Sequence, residues 1–322
     1  MATYALGIDL GGTSIKGALV EREQGVVAQS TRPTEGDQGP DHVLDRIATI
    51  VHELMDAHQG PTPVGLGMGV PGAVNMARTT VSYPSNLADW GVVDVRTALS
   101  ARTGIDHVVV ENDANIAGLG SAHYGAGMAH DSFIMVTLGT GVGGAIIYNN
   151  KVFRGSTGGA GEIGHMSIDY EGPLDNSGIS GAIEAYLGQQ FLSEHARLRL
   201  RHRPESIVHD LTGSDLSTLT PRTLHKAATQ GDEAATNILA WAGRRLGYAL
   251  SSAVNLLDIR VVVVGGGVSN AGAFLLDPAR KTLRSQVFPA FQEGLRIERE
   301  QRGNEVGVLG AAHLAFSTTP TA

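Results

Sequence analysis

The chain has 322 residues, 42% of them hydrophobic and 5% aromatic, which is enough for two domains of ordinary size with substantial cores. A formal net charge of −8 argues against nucleic acid or an anionic membrane surface as the main partner. The absence of cysteine excludes a disulfide framework and a thiolate metal site, and no apolar run approaches the ~18 residues of a membrane span, so the expected location is the cytoplasm.

Glycine, with 43 residues, stands at roughly twice its usual share, and it clusters in a few turns. Residues 4–10 read as a strand that Gly11, Gly12 and Thr13 interrupt; extended structure resumes over 15–20 and again over 25–28. This turn joins two strands, whereas a Walker A loop would carry Gly-Lys-Ser/Thr and open a helix. Two readings stand for it. One is a plain hairpin turn beside a strand-end Asp9; the other is a cradle of backbone N–H groups and the Thr13 hydroxyl around phosphate oxygens, with Asp9 holding Mg²⁺ through water.

Apolar residues between 41 and 58 fall at helical spacing and form core packing. Residues 63–70 are a glycine-alternating strand closed by the tight turn Val70-Pro71-Gly72. The polar loop 83–90 carries Asn86 and Trp90, a pair suited to a sugar face, although a tryptophan is more often core. A short helix is expected over 92–100. Val108, Val109 and Val110 then read as a buried strand, followed by Glu111-Asn112-Asp113-Ala114-Asn115 and a small-residue helix through Ala122. Taken alone, Asp113 reads as a helix N-cap. The glycine turns on either side of it and a carboxylate-histidine cluster downstream mark it as a candidate for chemistry.

Residues 133–138 form another strand, followed by Gly139-Thr140-Gly141-Val142-Gly143-Gly144. A dinucleotide site would place a helix after such a GxGxxG pattern, but 145–148 and 151–153 read as two more strands around Asn149-Asn150, which rejects the Rossmann reading. Residues 8–20 resemble residues 136–148, each a strand, a glycine turn and a strand. Paired phosphate turns in a duplicated unit point to two similar domains closing on a nucleotide. Downstream, Glu162, His165 and Glu184 lie among glycines, where they suit the hydroxyls of one small ligand or, equally, a solvated loop with a satisfied histidine. A helix is expected over 182–200, and a surface loop or short helices over 201–217. Helices follow at 223–230 and 232–257, the second burying Ile238, Leu239, Trp241, Leu246, Leu250, Val254 and Leu257. An apolar strand over 259–264 ends in Gly265-Gly266-Gly267, which lets a flat group such as a purine approach the backbone. An apolar helix over 306–316 returns to the N-terminal domain.

Together these pieces resemble the ROK family of sugar kinases (repressors, open reading frames, kinases) in the actin-like/hexokinase superfamily, over almost the whole chain. The matching segments are Asp9-Leu10-Gly11-Gly12-Thr13-Ser14-Ile15-Lys16, Pro71-Gly72, Glu111 to Asn115, Leu138 to Gly144, Gly161-Glu162-Ile163-Gly164-His165 and Gly265-Gly266-Gly267, in the family's order. The resemblance implies an α/β fold of two RNase H-like domains with a cleft between them: a smaller one from 1–116 with 306–322, and a larger one from 117–305. It implies Asp113 as catalytic base, and Gly72, Asn112, Asp113, Glu162, His165 and Glu184 at the sugar. Asp9, Gly11, Gly12, Thr13, Lys16, Thr140 and Gly141 would serve the phosphates of ATP and its Mg²⁺, with Gly265 and Gly266 at the adenosine.

The implied activity is ATP-dependent phosphorylation of glucose at its 6-hydroxyl. N-acetylmannosamine, N-acetylglucosamine, mannose or fructose as acceptor, polyphosphate as donor, and a non-catalytic sugar sensor stay open. Repressors of the family carry a helix-turn-helix domain ahead of the Asp-x-Gly-Gly-Thr turn, and only eight residues precede Asp9 here, which sets that reading aside. The expected assembly is a homodimer or homotetramer. One departure is clear: the family commonly holds a structural zinc with the motif histidine and three cysteines, and the equivalent positions here are Asp175, Ser177 and Ala182. No zinc is expected, so other packing must hold the loop of His165 and Glu184.

Overall fold

The computed structural model describes residues 2–84 and 87–319, and the chain divides into two compact units. One comprises Met1–Ser132, Ala145–Gly161 and Arg302–Ala322; the other comprises Phe133–Gly144 and Glu162–Gln301. Through the first unit the chain runs β1 (Tyr4–Leu10), β2 (Ser14–Glu21), β3 (Gly25–Pro33), α1 (Pro40–Asp56), β4 (Leu66–Val70), β5 (Ala73–Val74), β6 (Thr80–Ser82), β7 (Val92–Asp94), α2 (Val95–Thr103), β8 (Val108–Asn112) and α3 (Asp113–Tyr124). Next come β9 (Phe133–Leu138), β10 (Val142–Tyr148) and β11 (Lys151–Val152), then α4 (Glu184–Leu187), α5 (Gln189–Leu200), α6 (Val208–Leu211), α7 (Pro221–Thr229) and α8 (Glu233–Leu257). The chain ends with β12 (Val261–Gly265), α9 (Ala273–Gln286), β13 (Arg296–Arg299) and α10 (Glu305–Thr318). The changeover expected at residue 117 falls inside α3, all of which lies in the first unit.

The two large sheets have the orders β3-β2-β1-β4-β8 and β11-β10-β9-β12-β13. In the first, the β1-β2 and β2-β3 pairs are antiparallel while β1-β4 and β4-β8 are parallel. In the second, β10-β11 is antiparallel while β9-β12 and β12-β13 are parallel. The likeness of residues 8–20 to 136–148 therefore extends through whole sheets. A third sheet, β5-β6-β7, lies in the first unit. Among the described residues no helix is long and apolar enough to cross a membrane.

Glycine spacing on β4 has a packing cause. The helix α10 is apolar all round and buried from Val306 to Phe316 apart from a partly exposed His313, as a helix enclosed by other elements must be. It lies so close to the sheet that a Cβ on Gly67 would sit 1.7 Å from the Ala311 carbonyl oxygen, and one on Gly7 2.1 Å from that of Val308. Gly67 on β4 and Gly7 on β1 make room for the helix backbone, whereas Gly69 makes room for the Ile116 side chain of α3, 1.9 Å from its Cβ position.

Three expected elements are redrawn by local chemistry. The helix expected from residue 92 begins at Val95, because the Asp94 side chain caps it by accepting from the Thr97 N–H, and Val92–Asp94 pair instead with β6. The helix expected over 182–200 is broken at Gly188, whose ψ of 140° is extended. On α8, Trp241 is half-buried, not core, and is sandwiched between the guanidinium groups of Arg199 at 4.0 Å and Arg245 at 3.9 Å; Leu257 is also half-buried. Trp90 is core, 3% exposed, whereas Asn86, read with it as a sugar face, lies outside the described residues.

Candidate active site

In the first unit, the candidate residues gather at the ends of parallel strands, where α/β sheets place ligands. Asn112, the last residue of β8, caps α3: its Oδ1 accepts from the N–H groups of Ala114 at 2.9 Å and Asn115 at 3.2 Å, and its Nδ2 donates to the Gly72 carbonyl at 3.3 Å. Asn112, and not Asp113, is therefore the N-cap. Asp113 is the first helical residue, exposed, with Oδ1 accepting from the Ala114 N–H at 2.9 Å. Gly72 has φ of 102°, and a Cβ there would lie 2.9 Å from Pro84 Cα, so the turn beside Asn112 requires glycine.

Glu111 fixes this strand end from beneath. It is fully buried. Its Oε2 accepts from Arg78 Nε at 2.9 Å and lies 2.9 Å from Arg154 Nε, while Oε1 accepts from the Asn112 N–H at 3.0 Å and Asn115 Nδ2 at 3.1 Å. Arg154 continues to the carbonyls of Val74, Asn75 and Met76, in the segment after Gly72. Sequence pattern assigns Glu111 no role; the available signal was a carboxylate closing an otherwise apolar buried strand.

Asp9, next to the last residue of β1, lies opposite Lys16 in the β1-β2 register, and its Oδ2 would lie 2.6 Å from a Cβ on Gly307, in the first turn of α10. Burial raises its pKa to about 6; Lys16 opposes the shift and Asp113 adds to it. The pKa of Asp113 is also raised. Although the side chain touches solvent, the protein around it strips away enough water to disfavour the charge, against the N–H groups of Ala114 and Asp113 and the Asn112 side chain. The turn after β1 is closed by Gly11 N–H to the Ser14 carbonyl at 3.0 Å and held by Thr34, whose Oγ1 donates to the Gly11 carbonyl at 2.6 Å. Gly12 and Thr13 form its exposed tip and, with Glu35, Gly36, Asp37, Leu87 and Ala88, line an open depression of about 640 Å³.

In the second unit the candidates converge on the backbone of Val142. Its N–H donates to Glu184 Oε2 at 2.9 Å, and a Cβ on Gly164 would lie 2.0 Å from its carbonyl oxygen. Glu184, expected at the sugar, thus gives one oxygen to the turn containing Thr140 and Gly141. Glu162 and His165 flank one 3₁₀ turn, anchored by buried Ile163 and Gly164, that bonds the His165 N–H to the Glu162 carbonyl at 3.2 Å. His165 Nδ1 lies 2.8 Å from Asp175 Oδ2. Burial tends to raise the pKa of Asp175, but bonds from the Ile179 N–H, His165 and the Ser177 N–H reverse this, and the net effect is a lowered value. The break at Gly188 turns the Gln189 N–H onto the carbonyls of Gly139 at 3.0 Å and Thr140 at 3.1 Å, tying the start of α5 to the phosphate-type turn.

Gly265 and Gly266, expected to face adenosine, are packed within the unit. A Cβ on Gly265 would lie 3.0 Å from Met135 Cε, and one on Gly266, with φ of 83°, would lie 2.3 Å from the Leu138 carbonyl oxygen. The adjacent Gly267 has open space within 4 Å of its Cβ position.

The sequence profile of the ROK family matches residues 5–318. The glucokinase of Thermotoga maritima is 31% identical over 309 residues, covering 96% of each chain. That of Streptomyces coelicolor is 34% identical over 318 residues, covering 98% of each. The crystal structure of a ROK family glucokinase from Streptomyces griseus in complex with glucose and AMPPNP matches with a TM-score of 0.87 at 32% identity, covering 98% of this chain and 99% of that one.

Proposed function

This chain belongs to the ROK family, and we propose that it is an ATP-dependent glucose kinase in which Asp113 is the general base for transfer to the 6-hydroxyl. One observation carries the choice of base. Asn112 takes the N-cap position of α3, so Asp113, one residue on, gives only Oδ1 to the Ala114 N–H and keeps an exposed carboxylate for chemistry. Its raised pKa makes it a stronger proton acceptor than an ordinary aspartate. Phosphoryl transfer needs positioning and charge neutralisation more than covalent chemistry. Asp113 takes the hydroxyl proton as the sugar oxygen attacks the γ-phosphorus, while Glu111 holds the strand end that aims it.

The remaining residues serve the two substrates. Asn112 acts on the sugar with the turn at Gly72, Glu162, His165 and Glu184. The turns at Gly11-Gly12-Thr13 and Thr140-Gly141 present backbone N–H groups to the phosphates, and Lys16 adds a positive charge. Mg²⁺ bound with ATP would screen phosphate charge, and Asp9, a carboxylate whose charge burial and Asp113 disfavour, would hold it as an oxygen donor through water. Adenosine is placed at Gly267, beside Gly265 and Gly266.

The test is coupled ADP release with Mg-ATP on glucose, mannose, fructose, N-acetylglucosamine and N-acetylmannosamine, with polyphosphate as a second donor. The expected outcome is turnover on glucose that Asp113→Asn lowers by roughly 10³- to 10⁴-fold, with glucose binding and the unfolding midpoint kept. Near-normal turnover in that variant removes Asp113 as the base. Preference for another sugar moves the acceptor and keeps the mechanism.

A further inference from the structure

The residues beyond His165 do not fit the zinc ion that the family implies. In place of its three thiolates stand Asp175, Ser177 and Ala182: a methyl is no ligand, and structural zinc takes sulfur and imidazole. Among the described residues no group of three or more histidine, aspartate or glutamate side chains is set to hold a metal ion.

A hydrogen-bonded closure occupies that place. Asp175 is buried, 6% exposed. Its Oδ1 accepts from the N–H groups of Ser177 at 2.9 Å and Ile179 at 2.8 Å, folding 175–179 around the carboxylate, while Oδ2 meets His165 Nδ1 at 2.8 Å. Ser167 Oγ donates to the Ser180 carbonyl at 2.8 Å, and Ser167 and Ala182 pair as a β-bridge. The Ile183 N–H donates to the Met166 carbonyl at 3.0 Å. The segment from His165 to Glu184 is thus tied at both ends without a metal.

The chemistry of the pair fixes the imidazole. A carboxylate only accepts, so Nδ1 carries a ring proton, and in the neutral imidazole Nε2 keeps its lone pair. We propose that Asp175 is a positioning residue that replaces the missing zinc mechanically and holds His165 in the Nδ1–H form, so that Nε2 accepts a hydrogen bond from a sugar hydroxyl. The sugar-facing half of this inference rests on the kinase reading above; the hold on the imidazole does not.

Asp175→Asn separates orientation from folding. It keeps the side-chain size and the oxygen that closes 175–179, but its amide N–H now donates to Nδ1 and shifts the ring proton to Nε2. In the full-length protein the expected result is a KM for glucose raised about tenfold, a KM for Mg-ATP within about twofold and an unfolding midpoint close to wild type. In substrate-free, ¹⁵N-histidine-labelled protein, with His165→Gln for assignment, the His165 resonances should move from the Nδ1–H to the Nε2–H pattern. An unchanged glucose KM with an unchanged tautomer overturns the proposal. So does an equal rise in both KM values with a lowered midpoint, because that is loss of structure alone. About one zinc per chain in the purified protein, read by atomic emission, overturns it as well. If the wild-type protein phosphorylates no sugar, the kinase reading falls, while the tautomer measurement still decides whether Asp175 holds His165.

Discussion

Replacing Asp9 by asparagine tests whether the first unit carries a destabilising charge at its candidate site. Burial, opposed by Lys16 and reinforced by Asp113, raises the Asp9 pKa from its ordinary 3.8 to about 6. A carboxyl with a folded pKa above its unfolded value holds its proton more tightly when folded. Stability therefore declines as pH rises from about 4 through 6 and is level above that. At 1.36 kcal/mol per pH unit the charged group destabilises the fold by about 3 kcal/mol at pH 8 and about half that at pH 5. Asp9→Asn keeps the shape and removes the charge, so it should stabilise by about those amounts. Urea unfolding of both proteins at pH 5 and pH 8 reads the difference directly. Because the carboxylate is also the proposed partner of Mg-ATP, the more stable variant should show a raised KM for Mg-ATP and a lower kcat. A variant no more stable than wild type at pH 8, or a gain equal at the two pH values, would refute the burial account of Asp9.

Glu111→Gln leaves the Arg154 and Arg78 guanidinium groups facing a neutral amide, and removing one partner of a buried pair typically costs about 3–5 kcal/mol. The expected outcome is destabilisation near the lower bound, because Arg78 is 24% exposed, together with reduced turnover; an unchanged urea midpoint would count against the anchoring role. The stacked pair His123 and His313, with ring centroids 3.5 Å apart, sets an opposite pH slope. Burial, helped by His123 and Arg22, lowers the His313 pKa to about 3. Its contribution is present above the unfolded value of 6.5 and lost as pH falls toward 3, about 2 kcal/mol between pH 7 and pH 5. His313→Phe keeps a ring against His123 and should remove that loss; an acid sensitivity equal to wild type would show that another group is responsible.

Much of the first unit was legible because its signals are local. Apolar runs broken by glycine turns marked β1, β2 and β9, and helical spacing marked α1 and the inner face of α8. Shorter elements escaped: β5 and β6 have two and three residues, too few for a period to register, and β13, Arg296–Arg299, has only one apolar residue to mark it before β12 pairs with it. Trp241 was assigned to the core by spacing, but spacing does not report that two arginines cover its faces. At the site, the residue types of Asn112, Asp113, Glu162 and His165 were evident, whereas their division of labour was not. Capping falls to Asn112 because its amide reaches two N–H groups, a matter of distance and not of propensity.

Sequence alone determined the family, the repeated strand-turn-strand unit, the candidate base and the loss of the thiolates, since each depends on residue identity in a fixed order. Tertiary structure decided what those residues touch. It buried Glu111 between two guanidinium groups, gave one Glu184 oxygen to the Val142 N–H, packed Gly266 against Leu138 and left Gly267 open. It also brought Asp175 to His165 across ten positions. Such contacts join groups that are distant along the chain or turned by a single backbone angle, and no periodicity encodes them. They arise only when the sheets have formed and the loops are closed against them.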